Sequence, residues 1–440
     1  VKLRPANAAS RKQPFTLGHT NAGPSRRVVL QIADARRHLH ILGPTGQGKS
    51  TLLLHLALDA IHAGRGIAVI EPRGDLIRDI LDRMPTEAGD RLVLIDPDET
   101  QAPPALNVLE GTDGDHVVEQ LTSTLRRLWH ASWGQRIEDT LRHAALTLVR
   151  RPGSTLADIP SLLTNDRFRA EATTGLSPHD PIHGFWEAYN RLSLNAQAAS
   201  CGPVLSKLRA ITSRPFAAAL FGTARSTFRP ADILDGGVLL ARLPKGQLGE
   251  DGSALVGSLL VSQLWQATLA RINRQETARP DATVMIDEAQ NYLHLPTPLD
   301  DALAESRGYR TGWILAHQHL DQLTPSLRKA LSANAKNKLY FGLSIEDAKD
   351  LAAHVGPYLD ATDLANLDKY HAACRLTVDG KDTTGFTLQT LPAPPAIPGR
   401  ANAMRQAARR HGLPRSERQH TTRRRRAIPS APISPPISEL

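Results

Sequence analysis

The chain has 440 residues, enough for about two or three domains and a large buried core. Its two cysteines, Cys201 and Cys374, lie far apart with no C-x-x-C, which argues against a disulfide scaffold or a zinc module and fits a reducing compartment. No apolar run approaches the roughly 18 residues of a transmembrane helix, and the polar, basic N-terminus has no signal-peptide core. The net charge of +9 is carried by the ends: residues 1–40 hold eight Lys/Arg against one Asp, residues 401–440 hold nine Arg against two Glu, and the middle is net −5. Basic ends suit nucleic acid or an anionic membrane, with a solvated tail as the plain alternative.

In chain order, residues 1–27 read as an extended basic lead-in punctuated by Pro5, Pro14 and Pro24. Residues 28–32 read as a short strand. His38 and His40 then alternate with apolar residues, which suggests strand packing rather than metal binding. The apolar strand over 39–42 runs into Gly43-Pro44-Thr45-Gly46-Gln47-Gly48-Lys49-Ser50, followed by helical spacing from Thr51 to about residue 63. This string fits G-x-x-x-x-G-K-[ST], and the strand before and helix after are the context that motif needs. Glycines let successive N–H groups turn toward one anion, and the helix N-terminus adds a positive dipole end. Lys49 is the residue to reach the β- and γ-phosphates, and Ser50 the one to ligate Mg²⁺.

A second strand over 67–70 leads to Glu71-Pro72-Arg73-Gly74-Asp75, and a third over 91–95 ends in Asp96-Pro97-Asp98. Strands alternating with helices predict a parallel α/β sheet. From 115 to 215 helical periodicity takes over, which reads as an all-helical insertion. Its Trp129, Trp133 and Trp186 are read first as core residues and second as base-stacking ones. The sheet resumes near 236. The strand Thr283-Val284-Met285-Ile286 ends in Asp287-Glu288, the Walker B pattern, and the strand over 312–316 ends at His317-Gln318. Later strands are expected over 338–343, 372–378 and 383–388, the last two joined at Asp379-Gly380, a hairpin turn signal. Residues 392–440 read as a Pro-rich linker, a basic stretch able to form a short helix near 400–411, and a disordered Arg-rich tail including Arg423 to Arg426.

The domain reading is therefore 1–27 lead-in, 28–114 and 216–391 the two parts of a nucleotide-binding domain, 115–215 the helical insertion, and 392–440 the tail. Chemically, Asp287 is placed to hold the hydration shell of Mg²⁺, Glu288 to polarise a water, and Gln318 to sense the γ-phosphate, all at the carboxyl edge of the sheet. His317 and His319 read as packing or surface residues. Asn337-Lys338-Leu339-Tyr340 lacks the Asp of a guanine-reading string, so ATP is the default nucleotide.

The order of loop, helical insertion, Asp287-Glu288 and Gln318 resembles the HerA/FtsK superfamily of RecA-like motors, and within it the TraG/TraD-like coupling proteins of conjugative type IV secretion. Glu71-Pro72-Arg73-Gly74-Asp75 resembles their D-P-K-G-E/D segment. Asp96-Pro97 with Leu106-Asn107-Val108-Leu109 resembles their D-P…N-P-L segment, although Val108 replaces a proline. Glu305 to Arg310 resembles the stretch before their sensor glutamine. The resemblance covers about residues 28–390. It implies a DNA translocase hydrolysing ATP between the subunits of a hexameric ring, an arginine supplied in trans (by position Arg307, with Arg310 the alternate), and a relaxase or relaxosome and type IV secretion membrane proteins as partners. Such proteins usually carry N-terminal membrane helices and this chain shows none, so the expected location is cytoplasmic or peripheral at the inner membrane face. Other readings are a soluble HerA-like motor of repair, mobile elements or defence, a nucleotide-gated relaxosome-recruiting scaffold, and a protein-secretion motor.

Overall fold

The computed structural model describes residues 10–414 and residue 417. Its strands are β1 (Phe15–Thr20), β2 (Arg27–Leu30), β3 (Leu39–Leu42), β4 (Gly66–Glu71), β5 (Leu92–Ile95), β6 (Val238–Arg242), β7 (Ala282–Ile286), β8 (Thr311–His317), β9 (Asn337–Tyr340), β10 (His371–Arg375), β11 (Thr377–Val378), β12 (Lys381–Asp382) and β13 (Phe386–Gln389). Eleven of them form one sheet in the order β2-β1-β13-β10-β9-β3-β8-β7-β4-β6-β5. From β9 to β5 every pairing is parallel, and from β9 outward to β2 every pairing is antiparallel. β3, β4, β7 and β8 are buried along their whole length, as parallel strands are when helices cover both faces. This is a RecA-like P-loop fold, the α/β class expected from the sequence.

Each face of the sheet has its own apolar core. On one face lie the helices Lys49–His62 and Asp75–Leu81, whose Leu53, Leu56, Ile77 and Ile80 pack under β3 and β4. On the other lie the long helix Lys245–Leu269 and a layer of helices running from Gly114–Leu128 to Pro215–Phe221. That layer has no strand in it and does not carry a separate core. Leu121, Leu125 and Trp186 belong to the same apolar cluster as Trp265 and Ile286, and Thr124 Oγ1 donates to Ser262 Oγ at 3.0 Å. Trp186 is buried and donates to Thr147 Oγ1, as a core residue would; Trp129 and Trp133 are only partly buried.

Two expectations about the ends need correction. The lead-in is not merely extended: β1 enters the sheet between β2 and β13, burying Phe15 and Leu17, while the Arg65 guanidinium lies 4.6 Å over the Phe15 ring. The basic flanks concealed a six-residue strand. The expected strand over 28–32 correspondingly begins at Arg27 and stops at Leu30, and Ile32–Ala35 is a helical turn. The region from 392 is not linker and disordered tail throughout. Residues 392–414 form a strap across the face that carries Lys49–His62, and it includes the helix Arg400–Ala408. Asp82 O accepts from Ile397 N–H at 2.9 Å, Pro394 O accepts from Arg83 Nε at 2.6 Å, and Met404 is 1% exposed. Arg423 to Arg426 lie outside the described residues. Among the described residues no helix is long and apolar enough to cross a membrane.

Candidate nucleotide site

The phosphate loop begins where β3 ends. Its residues Gly46 and Gly48 have φ of 88° and 115°, conformations that L side chains rarely adopt, and the helix starts at Lys49. That geometry turns the loop's N–H groups toward a common hollow. β3 sits between β8 and β9, with β7 beyond β8, so the carboxyl ends of β7 and β8 open beside the loop. Parallel open sheets bind their ligands at that edge.

Sequence-predicted residues converge there. Lys49, with its side chain 6% exposed, places Nζ 3.2 Å from Asp287 Oδ1 and 3.6 Å from Glu288 Oε1. The buried ammonium is thus paired with both carboxylates, and an anion entering the loop would compete with them for it. Ser50 is exposed at the first turn of the helix and Thr51 is partly buried behind it. Asp287 follows β7, donates its N–H to Ile70 O at 3.0 Å, and is buried; burial pushes its carboxyl up, against the pull of Lys49. Glu288 turns out of the strand with φ of 51°. Burial would raise its carboxyl, but the Lys49 charge, hydrogen bonds from Gln290 and Gln318, and Arg73 outweigh this and hold it below its usual range. A carboxylate kept ionised is what a group that takes a proton from water requires.

Gln318 leaves β8 and bridges two parts of the site. Its Nε2 donates to Glu288 Oε1, and its Oε1 accepts from Thr45 Oγ1 at 3.0 Å. The loop, the Walker B end and the glutamine thus share one polar web. Arg73, to which sequence reasoning gave no role, joins it: Nη1 donates to Thr45 Oγ1 at 3.4 Å and Nη2 lies 3.7 Å from Glu288 Oε1. Its signal was present in Glu71-Pro72-Arg73-Gly74-Asp75. There Glu71 accepts from the Arg73 and Gly74 N–H groups at 3.1 and 2.6 Å, which pins the turn that aims Arg73. Burial, with Asp287 adding to it, pushes the Glu71 carboxyl up to about 7. Lys369 and Tyr370 also line the loop's hollow, and no motif announced them.

Arg307 and Arg310 are not brought to this cluster. The helix Leu299–Gly308 leads to the amino end of β8, whereas the phosphate loop stands at the carboxyl edge. Seven strand residues at about 3.3 Å each separate the two edges by roughly 20 Å. Arg307 is exposed beside Arg36 and Arg37 around a hollow of about 540 Å³. Arg310 is committed locally, with Nη1 donating to Arg279 O and Nε 3.7 Å from Glu276.

No family model matches the chain, and no curated protein matches it. Solved structures do. In fold, the chain is similar to the bacterial conjugative coupling protein TrwB. An unbound form of TrwB aligns with a TM-score of 0.59 at 17% identity, covering 88% of this chain and 91% of that one. TrwB in complex with a non-hydrolysable ATP analogue aligns at 0.57 and 16% identity, covering 86% and 98%; the complex with ADP and Mg²⁺ aligns at 0.55 and 17%, covering 82% and 87%. At such identity the likeness is one of fold alone.

The groups present suit Mg²⁺ and a nucleoside triphosphate: a buried ammonium at Lys49, a glycine-rich loop before a helix N-terminus, an exposed hydroxyl at Ser50 and a buried carboxyl at Asp287. Ser50 and Asp287 would hold the metal, the latter through its hydration shell, and the metal would offset phosphate charge.

Proposed function

We propose that the chain is an ATP-driven DNA translocase of the coupling-protein type, working as a homo-hexameric ring with ATP sites between subunits. The observation that supports this best is the convergence of Lys49, Asp287, Glu288 and Gln318 on one sheet edge. Lys49 turns from the carboxylates to the β- and γ-phosphate oxygens. Glu288, released from Lys49, accepts a proton from the attacking water. Gln318, bonded to both Glu288 and Thr45, reports whether a γ-phosphate is present by exchanging one of these partners for it. In this reading the partners are DNA, a relaxase or relaxosome, and type IV secretion membrane proteins, with the ring at the cytoplasmic face of a membrane.

The test is ATP hydrolysis with and without single- and double-stranded DNA, alongside native mass. Hydrolysis stimulated by DNA in a six-subunit species is the expected result. Hydrolysis indifferent to DNA, by a chain that neither binds DNA nor assembles, would overturn the proposal.

A further inference from the structure

The loop before β10 brings an aromatic side chain to the phosphate loop. Tyr370 has φ of 66°, a left-handed conformation uncommon for a bulky residue. Three hydrogen bonds hold it there. Its N–H donates to Gln47 O at 2.8 Å, and its carbonyl accepts from Thr390 N–H at 2.8 Å and Thr390 Oγ1 at 3.1 Å. The ring lies so close to the loop that a Cβ at residue 48 would come within 2.8 Å of Tyr370 Cδ1. Gly48 is therefore required twice, by its backbone angle and by this ring. Yet Tyr370 belongs to neither apolar core and is 39% exposed. Packing does not account for a strained residue held by three bonds with its ring left open; strain of that kind gathers at ligand clamps.

Sheet order gives the ring a direction. Asp287, Glu288 and Gln318 come from β7 and β8, on one side of β3. Tyr370 comes from beyond β9, on the other. A triphosphate anchored on Lys49 with its γ end toward Glu288 has its nucleoside end free to extend toward Tyr370. Lys369 Nζ lies over one face of the ring, 5.0 Å from its centroid, and adds positive charge to the same rim, so a base would stack on the other face or displace this ammonium.

We propose that Tyr370 is the base platform of the nucleotide site, stacking on the base of a bound nucleoside triphosphate. The inference rests on the nucleotide reading of the loop. Stacking uses the π-face that every base has, so it favours nucleotides over bare polyphosphate without choosing among bases.

The test compares binding of ATP and of inorganic tripolyphosphate to the full chain. Tyr370→Gly is the informative variant, because glycine takes a positive φ without strain and removes only the ring. ATP affinity should fall roughly tenfold or more while tripolyphosphate affinity is unchanged, and Tyr370→Phe should keep the wild-type ratio. The proposal is overturned if Tyr370→Gly binds ATP as the parent does. It is equally overturned if ATP and tripolyphosphate weaken together, since Tyr370 would then only brace the loop. A parent protein that binds neither compound overturns the nucleotide reading itself, and this inference with it.

Discussion

Lys49 is the residue on which the site's electrostatics turn, since its ammonium faces two buried carboxylates. Lys49→Ala should abolish hydrolysis and leave Asp287 without its cation and Glu288 with Arg73 alone. Glu288→Gln should retain ATP binding and lose turnover by on the order of 10²-fold or more, because an amide does not take a proton as a carboxylate does. Turnover near the parent rate in Glu288→Gln would sink the Walker B assignment. Buried histidines make a second expectation at this scale. Burial lowers His38, His294 and His354 to about 4 and His317 to about 3, and holds His40 well below its usual value. Between the unfolded value near 6.5 and those folded values, the unfolded chain binds protons that the native state refuses. The stability that depends on keeping these histidines neutral should therefore be fully present above pH 6.5 and fall as pH drops toward 4. Glu71, raised to about 7, and Asp59, Asp287 and Asp347, also raised by burial, work in the opposite sense against these five histidines. Urea midpoints at pH 7.0, 5.5 and 4.5 would check this; equal midpoints would contradict it.

At the scale of elements, the C-terminal strap is the piece whose role changes most once the fold is known. Arg405 and Arg242 grip the two oxygens of Asp96, whose side chain is 0% exposed, at 2.7 Å each. Arg409 pairs with Glu99 and Arg410 with Asp90. Three of the arginines in the basic C-terminal region are thus engaged within the fold rather than available to a polyanion. Arg405→Ala strips one oxygen of a buried carboxylate of its partner and should cost about 1–3 kcal/mol, read as a lower denaturation midpoint. A deletion that tests the tail must accordingly start after the strap. Removing residues 415–440 takes away six Arg and two Glu, a net +4, and should leave basal ATP hydrolysis in place. It should weaken DNA binding and flatten its salt dependence, because fewer phosphates are contacted. Unchanged DNA affinity with lost binding to anionic vesicles would assign the tail to a membrane surface instead.

For the whole molecule, the edge-to-edge arrangement of the sheet decides what Arg307 can do. It stands at the amino edge, exposed, on the opposite side from its own phosphate loop. In the proposed ring, a contact between Arg307 and a γ-phosphate would be one made to a neighbouring subunit. We expect Arg307→Ala to lose hydrolysis, and mixing it with Lys49→Ala to restore part of it, because one interface of a mixed ring keeps both groups. Full activity of Arg307→Ala with no rescue in mixtures would remove the trans role. Arg310 is the weaker substitute, since its guanidinium is already held by Arg279 O and Glu276.

The sequence by itself determined the parts that local chemistry dictates. A glycine-rich turn between an apolar strand and a helix needs no distant partner to be recognised, and neither does an apolar strand ending in Asp287-Glu288. The fold class followed from alternating strands and helices, and the turn at Asp379 and Gly380, with φ of 49° and 79°, from its dipeptide. What only the tertiary structure decided depends on residues far apart in the chain. β1 is a strand because β13 and β2 flank it, and residues 392–414 are ordered because acidic and apolar partners hundreds of positions earlier receive them. Arg73 and Tyr370 reach the site through a pinned turn and through the strand order around β3. The turn that aims Arg73 is local, but which groups it and Tyr370 meet is set by distances across the sheet and not along the chain.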